Sequence, residues 1–253
     1  MTAEAQGAGQ PTSPTPADRT AAPGQPGPEP AETRDQAGNL VERVPLLAGL
    51  AEGTRELFAP DGRVLSRQQL SAGKPDGVTD LFDETGARTA EMTFVAGLLH
   101  GHLRTFAGGE IQREAPYAMG RLHGTARSFA PGGVVTAEES YRAGIRHGPT
   151  RLYDAAGRKV REVDYADGQP VGTARTFYPL SGRLQETTPH AGGKPEGWQV
   201  AYHPDGRTVQ RRQHFKAGKP DGPPRLYDAK GRPLDPKRGK RGRTSFWRRL
   251  LGG

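Results

Sequence analysis

Residues 148–172 read GPTRLYDAAGRKVREVDYADGQPVG, and this arrangement of glycine and aromatic residues recurs every 23 to 25 residues along most of the chain. Gly148 opens the unit, a second glycine follows at Gly157, and a third, Gly168, stands four residues before the next opening glycine. The opening glycines are Gly53, Gly77, Gly101, Gly124, Gly148, Gly172, Gly197 and Gly222. Self-similarity at such a period is typical of repeat proteins, in which each unit buries its apolar surface by stacking on its neighbours.

Aromatic residues follow the same period in two columns. The first column stands ahead of the glycine equivalent to Gly157 and contains Phe58, Phe82, Phe106, Phe129, Tyr153, Tyr178, Tyr202 and Tyr227. The second column stands ahead of the glycine equivalent to Gly168 and contains Leu46, Leu70, Phe94, Tyr117, Tyr141, Tyr165, His190 and Phe215. Such columns predict a buried spine, although a face that binds peptide or lipid would carry the same pattern.

Each unit reads as a β-hairpin. In the unit that Gly148 opens, a short run ends in Tyr153, a turn follows at residues 154–157, and a second run ends at Tyr165. Glycine at the last turn position supplies the positive φ that a type I turn with a following bulge requires. We interpret segments such as residues 72–77, which end on the opening glycine, as the connections that turn one hairpin into the next. No segment shows sustained helical periodicity, so we predict an all-β fold, an elongated single-sheet array of β-hairpin repeats.

Composition divides the chain into three parts. Residues 1–37 are rich in Pro, Ala, Gly, Thr and Gln and contain too few apolar side chains to offset the entropy cost of ordering, so we predict a disordered leader. Residues 38–234 carry the array, which begins with a half unit, continues through seven full units and ends in a partial unit. Residues 235–253 form a basic tail with a short amphipathic segment.

The spacing over residues 38–234 resembles the MORN repeat, specifically the bacterial variant found in the YwqK-type antitoxin family. The unit that carries the resemblance runs from Gly148 through Tyr153 and Tyr165 to Gly168. It departs from the standard MORN unit, in which the tyrosine and glycine positions are more closely spaced. The resemblance implies a hairpin-repeat scaffold and, for function, an antitoxin or immunity protein that occludes a toxin partner.

The tail carries most of the net charge of +8, because eight basic residues and one acid lie between positions 232 and 253. In a helix, Phe246 and Leu250 would form a small apolar face beside Arg248 and Arg249. Such a short helix is unstable in water, so we expect it to order only on a surface. The residues with which we expect the tail to dock are Lys237, Arg238, Lys240, Arg241, Arg243, Phe246, Trp247, Arg248, Arg249, Leu250 and Leu251.

Three surfaces suit this tail: an anionic membrane, a groove on a partner protein, and the phosphates of a nucleic acid. A solubilising end without a ligand is the fourth interpretation. We favour a membrane or a protein over nucleic acid, because the repeats supply no second basic patch.

Arginine stands three residues after the opening glycine at Arg104, Arg127, Arg151 and Arg175, and again at Arg225, and acids recur in the neighbouring runs. This pattern predicts a cross-strand charge ladder worth about 0.2–1 kcal/mol per pair, although the same arginines could face an acidic partner. Trp198 lies outside both aromatic columns, beside an opening glycine, and is a candidate contact for a protein partner. We therefore name the first four of these arginines and Trp198 as candidate partner-binding residues.

Three histidines, His100, His123 and His147, each precede an opening glycine. Equivalent positions in successive hairpins are about 10 Å apart, whereas zinc ligands lie within about 2.1 Å of the metal. We therefore expect these histidines to serve as ordinary turn residues, with no metal site.

The sequence contains no phosphate-binding loop, no nucleophile elbow, no HExxH motif and no cysteine. We expect a protein that is not an enzyme, binds no cofactor or small-molecule substrate, and works in the cytoplasm as a scaffold for a protein partner. The alternative is a peripheral scaffold on the inner face of the membrane, anchored by the tail. No segment has the length and hydrophobicity of a secretory signal or a membrane span.

Overall fold

A computed structural model of the chain describes residues 27–234, which form one open antiparallel β-sheet without a helix. Its strands are β1 (Glu29–Arg34), β2 (Leu40–Leu47), β3 (Leu50–Ala51), β4 (Gly53–Phe58), β5 (Val64–Ser71), β6 (Lys74–Phe82), β7 (Arg88–Val95), β8 (Leu98–Ala107), β9 (Glu110–Ala118), β10 (Arg121–Leu122), β11 (Gly124–Ala130), β12 (Val134–Arg142), β13 (Ile145–Tyr153), β14 (Lys159–Ala166), β15 (Gln169–Phe177), β16 (Leu184–Ala191), β17 (Lys194–Pro195), β18 (Gly197–Tyr202), β19 (Val209–Lys216), β20 (Lys219–Pro220), β21 (Arg225–Tyr227) and β22 (Pro233–Leu234). The predicted all-β, single-sheet array of hairpins is confirmed.

Each strand pairs with the next one along the chain, except where one strand is divided into two segments, so the sheet is an up-and-down meander. The short strands β3, β10, β17 and β20 each begin a longer strand that a brief interruption divides. The 22 strands therefore form nine hairpins within the described residues. Neighbouring hairpins hydrogen-bond to one another, so each unit is stabilised by the units beside it.

The array begins earlier than the sequence indicates. The prediction of a disordered leader over residues 1–37 is wrong for residues 29–34, which form β1 and pair with β2 along its length. The predicted half unit is therefore a complete hairpin, in which Glu32 lies opposite Arg43. Pairing with β1 satisfies backbone groups of β2 that would otherwise form a free sheet edge. Residues 1–26 and 235–253 lie outside the described part of the chain.

The opening glycines from Gly53 to Gly197 lie within strands or begin them, and not at the turns between hairpins, contrary to the sequence interpretation. In β13, residues 147–149 lie opposite Ser140 alone, between the aligned pairs Tyr141–Arg146 and Glu139–Thr150. Three residues of one strand therefore face a single residue of the other, which is a β-bulge. Gly148 lies in this bulge with φ of +101°. The bulge explains the glycine column, because only glycine adopts this backbone conformation without strain.

Successive hairpins are joined by two-residue turns in which both residues have positive φ, as Ala143 (+51°) and Gly144 (+88°) do. These are the dihedral angles of a type I′ turn, whose twist matches that of the flanking strands. The sequence places each of these turns inside a longer connection, such as residues 72–77, and does not single out the two turn residues, because alanine seldom adopts positive φ. The Ala-Gly dipeptide that recurs at the same place in several repeats was the available signal.

The two-residue turns also connect neighbouring hairpins by hydrogen bonds. The backbone N–H of Gly144 donates to the carbonyl of Leu122 in the preceding hairpin at 2.7 Å. Equivalent bonds of 2.7–3.0 Å are donated by Gly73, Gly97, Gly120, Gly168 and Gly218. Near each bulge one strand carbonyl, such as that of Leu122, accepts its hydrogen bond from the glycine N–H of the next two-residue turn.

The two aromatic columns lie on opposite faces of the sheet. The second column lies opposite the bulge glycines, as Tyr165 does opposite Gly148, on the face that carries buried small side chains. This small-residue face includes Thr79, Ala115, Ala126, Thr150, Val163, Ala174 and Gln213, all of them buried. The first column lies on the other face, which we name the charged face. Because one sheet has no second layer, the residues of the two columns are half-buried, apart from the buried Leu70, and do not form a buried spine.

Phe177, and not Tyr178, occupies the first aromatic column in the hairpin of β15 and β16. Phe177 lies opposite Leu184, as Phe58 lies opposite Val64 in the hairpin of β4 and β5. The loop between Phe177 and Leu184 contains six residues, whereas the loop after Tyr153 in the preceding hairpin contains five, which displaced the alignment on the glycines. Tyr178 instead donates a hydrogen bond from its hydroxyl to the carbonyl of Tyr202 at 2.7 Å.

Candidate functional site

A single row of charged side chains crosses the charged face from strand to strand. Cross-strand pairing aligns Glu32, Arg43, Glu56, Arg67, Asp80, Glu91, Arg104, Glu114, Arg127, Glu138, Arg151, Glu162 and Arg175. The sign of the charge alternates along this row except at Asp80 and Glu91, where Arg88 contacts both carboxylates at 3.2 and 2.5 Å. The row is the cross-strand ladder that the sequence predicts, extended over most of the sheet.

The four arginines proposed from sequence all lie in this row, and each contacts a carboxylate. Arg104 lies 2.9 Å from Glu91 and 2.8 Å from Glu114. The other contacts are Arg127 to Glu138 at 3.2 Å, Arg151 to Glu138 at 3.7 Å, and Arg175 to Glu162 at 3.3 Å. Because these guanidinium groups already have partners within the chain, they are less available to an acidic ligand than an unpaired arginine would be.

Other arginines of the row also pack against the first aromatic column. The guanidinium of Arg43 lies 5.6 Å from the ring centre of Phe58 in the next hairpin, and Arg67 lies 5.7 Å from Phe82. Such cation–π contacts at exposed sites contribute about 0.5–1 kcal/mol each. The rings therefore support the charged row from one side.

Hydrogen bonds stabilise the ionised form of the row's carboxylates. The Tyr153 hydroxyl donates to Glu138 at 2.9 Å and, with Arg127 beside it, lowers the pKa of this carboxyl below its usual value. Lys159, which donates to Glu162 at 2.6 Å, lowers the pKa of that carboxyl in the same way. Both groups are therefore charged at neutral pH, as a structural ladder requires.

Acidification is expected to destabilise the sheet through these groups. A carboxylate with a lowered folded-state pKa stabilises the fold above its unfolded pKa of 4.5, and the contribution is lost as pH falls through the folded value. We expect the thermal midpoint, measured by circular dichroism, to fall below about pH 5 and to fall less steeply in Glu138→Gln. Glu84→Gln is the control, because Glu84 is exposed and has no ion pair among the described residues. Equal slopes for Glu138→Gln and the unmodified chain would contradict the assignment.

The alternation ends at the C-terminal hairpins. Beyond Arg175 the row continues through Thr187, Val200, Arg212 and Arg225, each opposite the next. Arg212 and Arg225 are exposed, face each other on neighbouring strands, and have no carboxylate partner among residues 27–234. Two like charges directly opposite each other destabilise a sheet. Among the described residues, this is the one place in the row where an arginine lies directly opposite another arginine.

Trp198 lies beside these arginines on the same face. The residue is 43% exposed and lies opposite His214, with ring centres 4.9 Å apart and ring planes at 65°. The Arg225 guanidinium lies 5.2 Å from the centre of the Trp198 ring. We name Trp198, Arg212, His214 and Arg225 together the Trp198 platform. It joins an exposed aromatic residue to two arginines without a carboxylate partner among the described residues, and its His214 contacts Asp221 at 3.0 Å.

The net charge also differs between the C-terminal hairpins and the rest of the sheet. Residues 194–234 contain nine basic and four acidic residues, a net charge of +5, whereas residues 27–193 contain 19 basic and 21 acidic residues, a net charge of −2. The sequence expectation that the repeats supply no second basic patch is therefore wrong. A count for each hairpin would have found this patch, which a single total for all the repeats averages out.

A second surface lies along the two-residue turns between hairpins and the residues that flank them, which we name the turn margin. Its exposed apolar side chains are Leu47, Leu50, Val95, Leu98, Met119 and Ile145. Its basic residues are Lys74, Arg121, Arg142, Lys194, Lys216 and Lys219, and its acid is Asp167. Among the described residues only Arg142 of these six has an ion pair, to Asp167 at 3.4 Å. The turn margin is therefore apolar in its N-terminal half and basic in its C-terminal half.

The histidine column belongs to the bulges. His147 precedes the bulge glycine Gly148, and its Nδ1 lies 3.5 Å from a carboxylate oxygen of Asp167 in the next turn. The equivalent Glu52 accepts a hydrogen bond from the backbone N–H of Ala72 in the next turn at 2.8 Å. Within residues 27–234, no three His, Cys, Asp or Glu side chains come together as a metal site would require.

The concave features of the described surface are shallow. Two open depressions measure about 340 and 300 Å³. The first lies between β1 and the end of β2. The second contains the Arg211–Glu186 ion pair, 3.0 Å long, on the small-residue face. Neither one brings together a nucleophile with a base.

Comparison with family models finds no match to the chain, and comparison with curated proteins finds none. Among solved structures, a mutant of S. aureus TarM in complex with Fondaparinux, alpha-GlcNAc-glycerol and UDP is 13% identical over 49% of this chain and 19% of its own, with a TM-score of 0.24. A crystal structure of TarM is 12% identical over 50% of this chain and 19% of its own, with a TM-score of 0.21. This chain therefore spans 19% of the length of these structures, and at such scores the likeness carries no argument about fold or activity.

Within residues 27–234, the structure has no helix with the length and apolar character needed to cross a membrane. The docking residues expected in the tail, from Lys237 to Leu251, lie outside the described residues.

Proposed function

We propose that this protein is a non-enzymatic repeat scaffold that binds a protein partner on the charged face, with the Trp198 platform as the centre of the contact. The observation that carries the proposal is the exposed Trp198 ring beside Arg212 and Arg225, which have no carboxylate partner in the described chain. Tryptophan and arginine are the residue types that contribute most often to the energy of protein interfaces.

The shape of the sheet supports a binding role over catalysis. Its depressions are open, and the carboxylates of the charged row are engaged in ion pairs and hydrogen bonds, as Glu91 and Glu138 are. A general acid or base needs a pKa near the working pH and a position beside a substrate pocket. We therefore assign no catalytic residue, cofactor or small-molecule substrate to this protein.

The concrete form of the proposal follows from the resemblance to the YwqK-type family. There the scaffold is an antitoxin or immunity protein of the cytoplasm, and the partner is a toxin whose working surface it covers. A long sheet suits this role because many modest contacts are spread over several hairpins.

Site-specific photocrosslinking in cells tests the proposal. A photoreactive amino acid at position 198 is expected to give one discrete adduct with a protein, identified by mass spectrometry. The same residue at position 180 is the control, because Leu180 is 89% exposed and lies in the turn after β15, away from the platform. Equal adducts from both positions, or none from position 198, would contradict a partner at the platform.

A peripheral membrane scaffold is the second candidate, and the turn margin is the observation that favours it. Exposed side chains such as Leu98 and Met119 suit the lipid interface, and each basic residue near an anionic leaflet contributes about 1 kcal/mol. We expect co-sedimentation with phosphatidylserine vesicles to weaken in Lys216→Glu/Lys219→Glu. Deletion of residues 236–253 tests the tail separately. No binding by the full chain would remove this candidate.

A further inference from the structure

The charged row follows one rule in the hairpins before residue 187. Each arginine of the row lies opposite at least one carboxylate, and the contacts of Arg104, Arg127 and Arg175 measure 2.8–3.3 Å. In these hairpins, a carboxylate on a neighbouring strand is therefore the usual ion-pair partner of an arginine in the charged row. The geometry repeats because the hairpins repeat.

Arg212 and Arg225 occupy the same row without that group. They lie opposite each other on β19 and β21, both exposed, and the strands before them contribute Thr187 and Val200. Like charges in direct opposition destabilise a sheet, so a bound carboxylate would have two cations to interact with at once.

The residues around this pair define what else the ligand presents. Trp198 offers an exposed ring beneath the Arg225 guanidinium, and Val200 adds a half-buried apolar side chain between Trp198 and Arg212. A ligand that covers both parts needs carboxylates next to an apolar or aromatic side chain.

We propose that the Trp198 platform binds an acidic segment of the partner protein, whose carboxylates complete the charged row at Arg212 and Arg225 and whose apolar side chain covers Trp198. This inference rests on the proposed function and adds the chemistry of the partner. The net charge of +5 over residues 194–234 draws such a segment to this end of the sheet.

A labelled peptide of alternating glutamate and leucine is the probe, and its binding to the full chain is measured by fluorescence anisotropy. We expect Arg212→Glu/Arg225→Glu to weaken binding at least about tenfold. The variant removes two ion pairs with the peptide's glutamates and puts two repelling charges in their place. A peptide of alternating lysine and leucine is expected to bind this variant better than the unmodified chain. Circular dichroism checks that the variant keeps its β-sheet.

The matched control is Lys74→Glu/Arg121→Glu, which makes the same change of charge on β6 and β10, on the turn margin but outside residues 194–234. We expect it to keep peptide affinity within about threefold. Equal losses in both variants would overturn the inference in favour of general electrostatic attraction. Binding of anionic vesicles that depends on Arg212 and Arg225, without binding of the peptide, would overturn it in favour of a membrane.

The two proposals fail in different ways. If position 198 crosslinks to a protein in cells but the acidic peptide does not bind, the acidic segment is wrong and the scaffold function stands. If the peptide does not bind and position 198 gives no adduct, both proposals fail.

Discussion

Gly148→Val is expected to destabilise the array by about 2–3 kcal/mol. Gly148 has φ of +101° in the bulge of β13, and a Cβ atom there would lie 3.2 Å from the Cβ of Ser140. A β-branched side chain adds strain at such a dihedral angle and has no space to relax towards the neighbouring strand. For an array of this size we expect the midpoint of thermal unfolding, followed by circular dichroism, to fall by about 4–12 °C.

The control compares two alanine variants. Gly148→Ala introduces the Cβ into the crowded bulge, whereas Gly73→Ala introduces it into a two-residue turn where no atom lies within 4 Å. Gly73 also has positive φ, so alanine there carries some backbone strain but meets no neighbouring atom. Alanine already occupies the first position of several of these turns, with φ near +50°. We expect Gly148→Ala to cost more stability than Gly73→Ala. Equal midpoints would mean that the bulge does not constrain residue 148.

Val163→Asp is expected to cost about 3 kcal/mol or more. Val163 is 4% exposed on the small-residue face and lies opposite Thr150, which is 5% exposed. An aspartate at this position would lose its hydration and could not reach the cations of the charged face, because neighbouring strand positions point to opposite faces. On its own face, Arg146 already pairs with Glu139. Chemical denaturation followed by fluorescence and circular dichroism measures the loss.

Val95→Asp is the matched control for this substitution. Val95 ends β7 at the turn margin and is 50% exposed, so an aspartate there stays in contact with water. We expect a loss of less than about 0.5 kcal/mol. If Val95→Asp destabilised the protein as much as Val163→Asp, the small-residue face would not be the buried one.

The sequence predicted the hairpin repeat because glycine and aromatic residues mark each unit independently of its neighbours. It misplaced the connections because the bulge and the turn both contain glycine. Gly148 and Gly144 both have positive φ, and only strand pairing distinguishes a bulge opposite Ser140 from a turn that reverses the chain. It also missed β1, because residues 29–34 lack the repeat's glycine and aromatic residues and are stabilised by the edge of β2.

The candidate site was predictable in its parts but not in its assembly. Trp198 stood out in sequence as an aromatic residue outside the columns, and the arginines stood out as a column. Which arginine has a carboxylate partner depends on the strand that pairs with it, so the ion pair of Arg175 and the unpaired position of Arg225 look alike in the sequence. The interaction of a charged residue with its environment is set across strands.

The sequence by itself determined the repeat, the hairpin as its unit and the row of alternating charge, because each of these follows from spacing within a strand or between equivalent strands. Only the tertiary structure decided which glycine bends the strand and which closes the turn, that the two aromatic columns lie on opposite faces, and that the charge alternation ends at Arg212 and Arg225. The physical reason is that strand register assigns every side chain a face and a cross-strand neighbour, and a single bulge changes both.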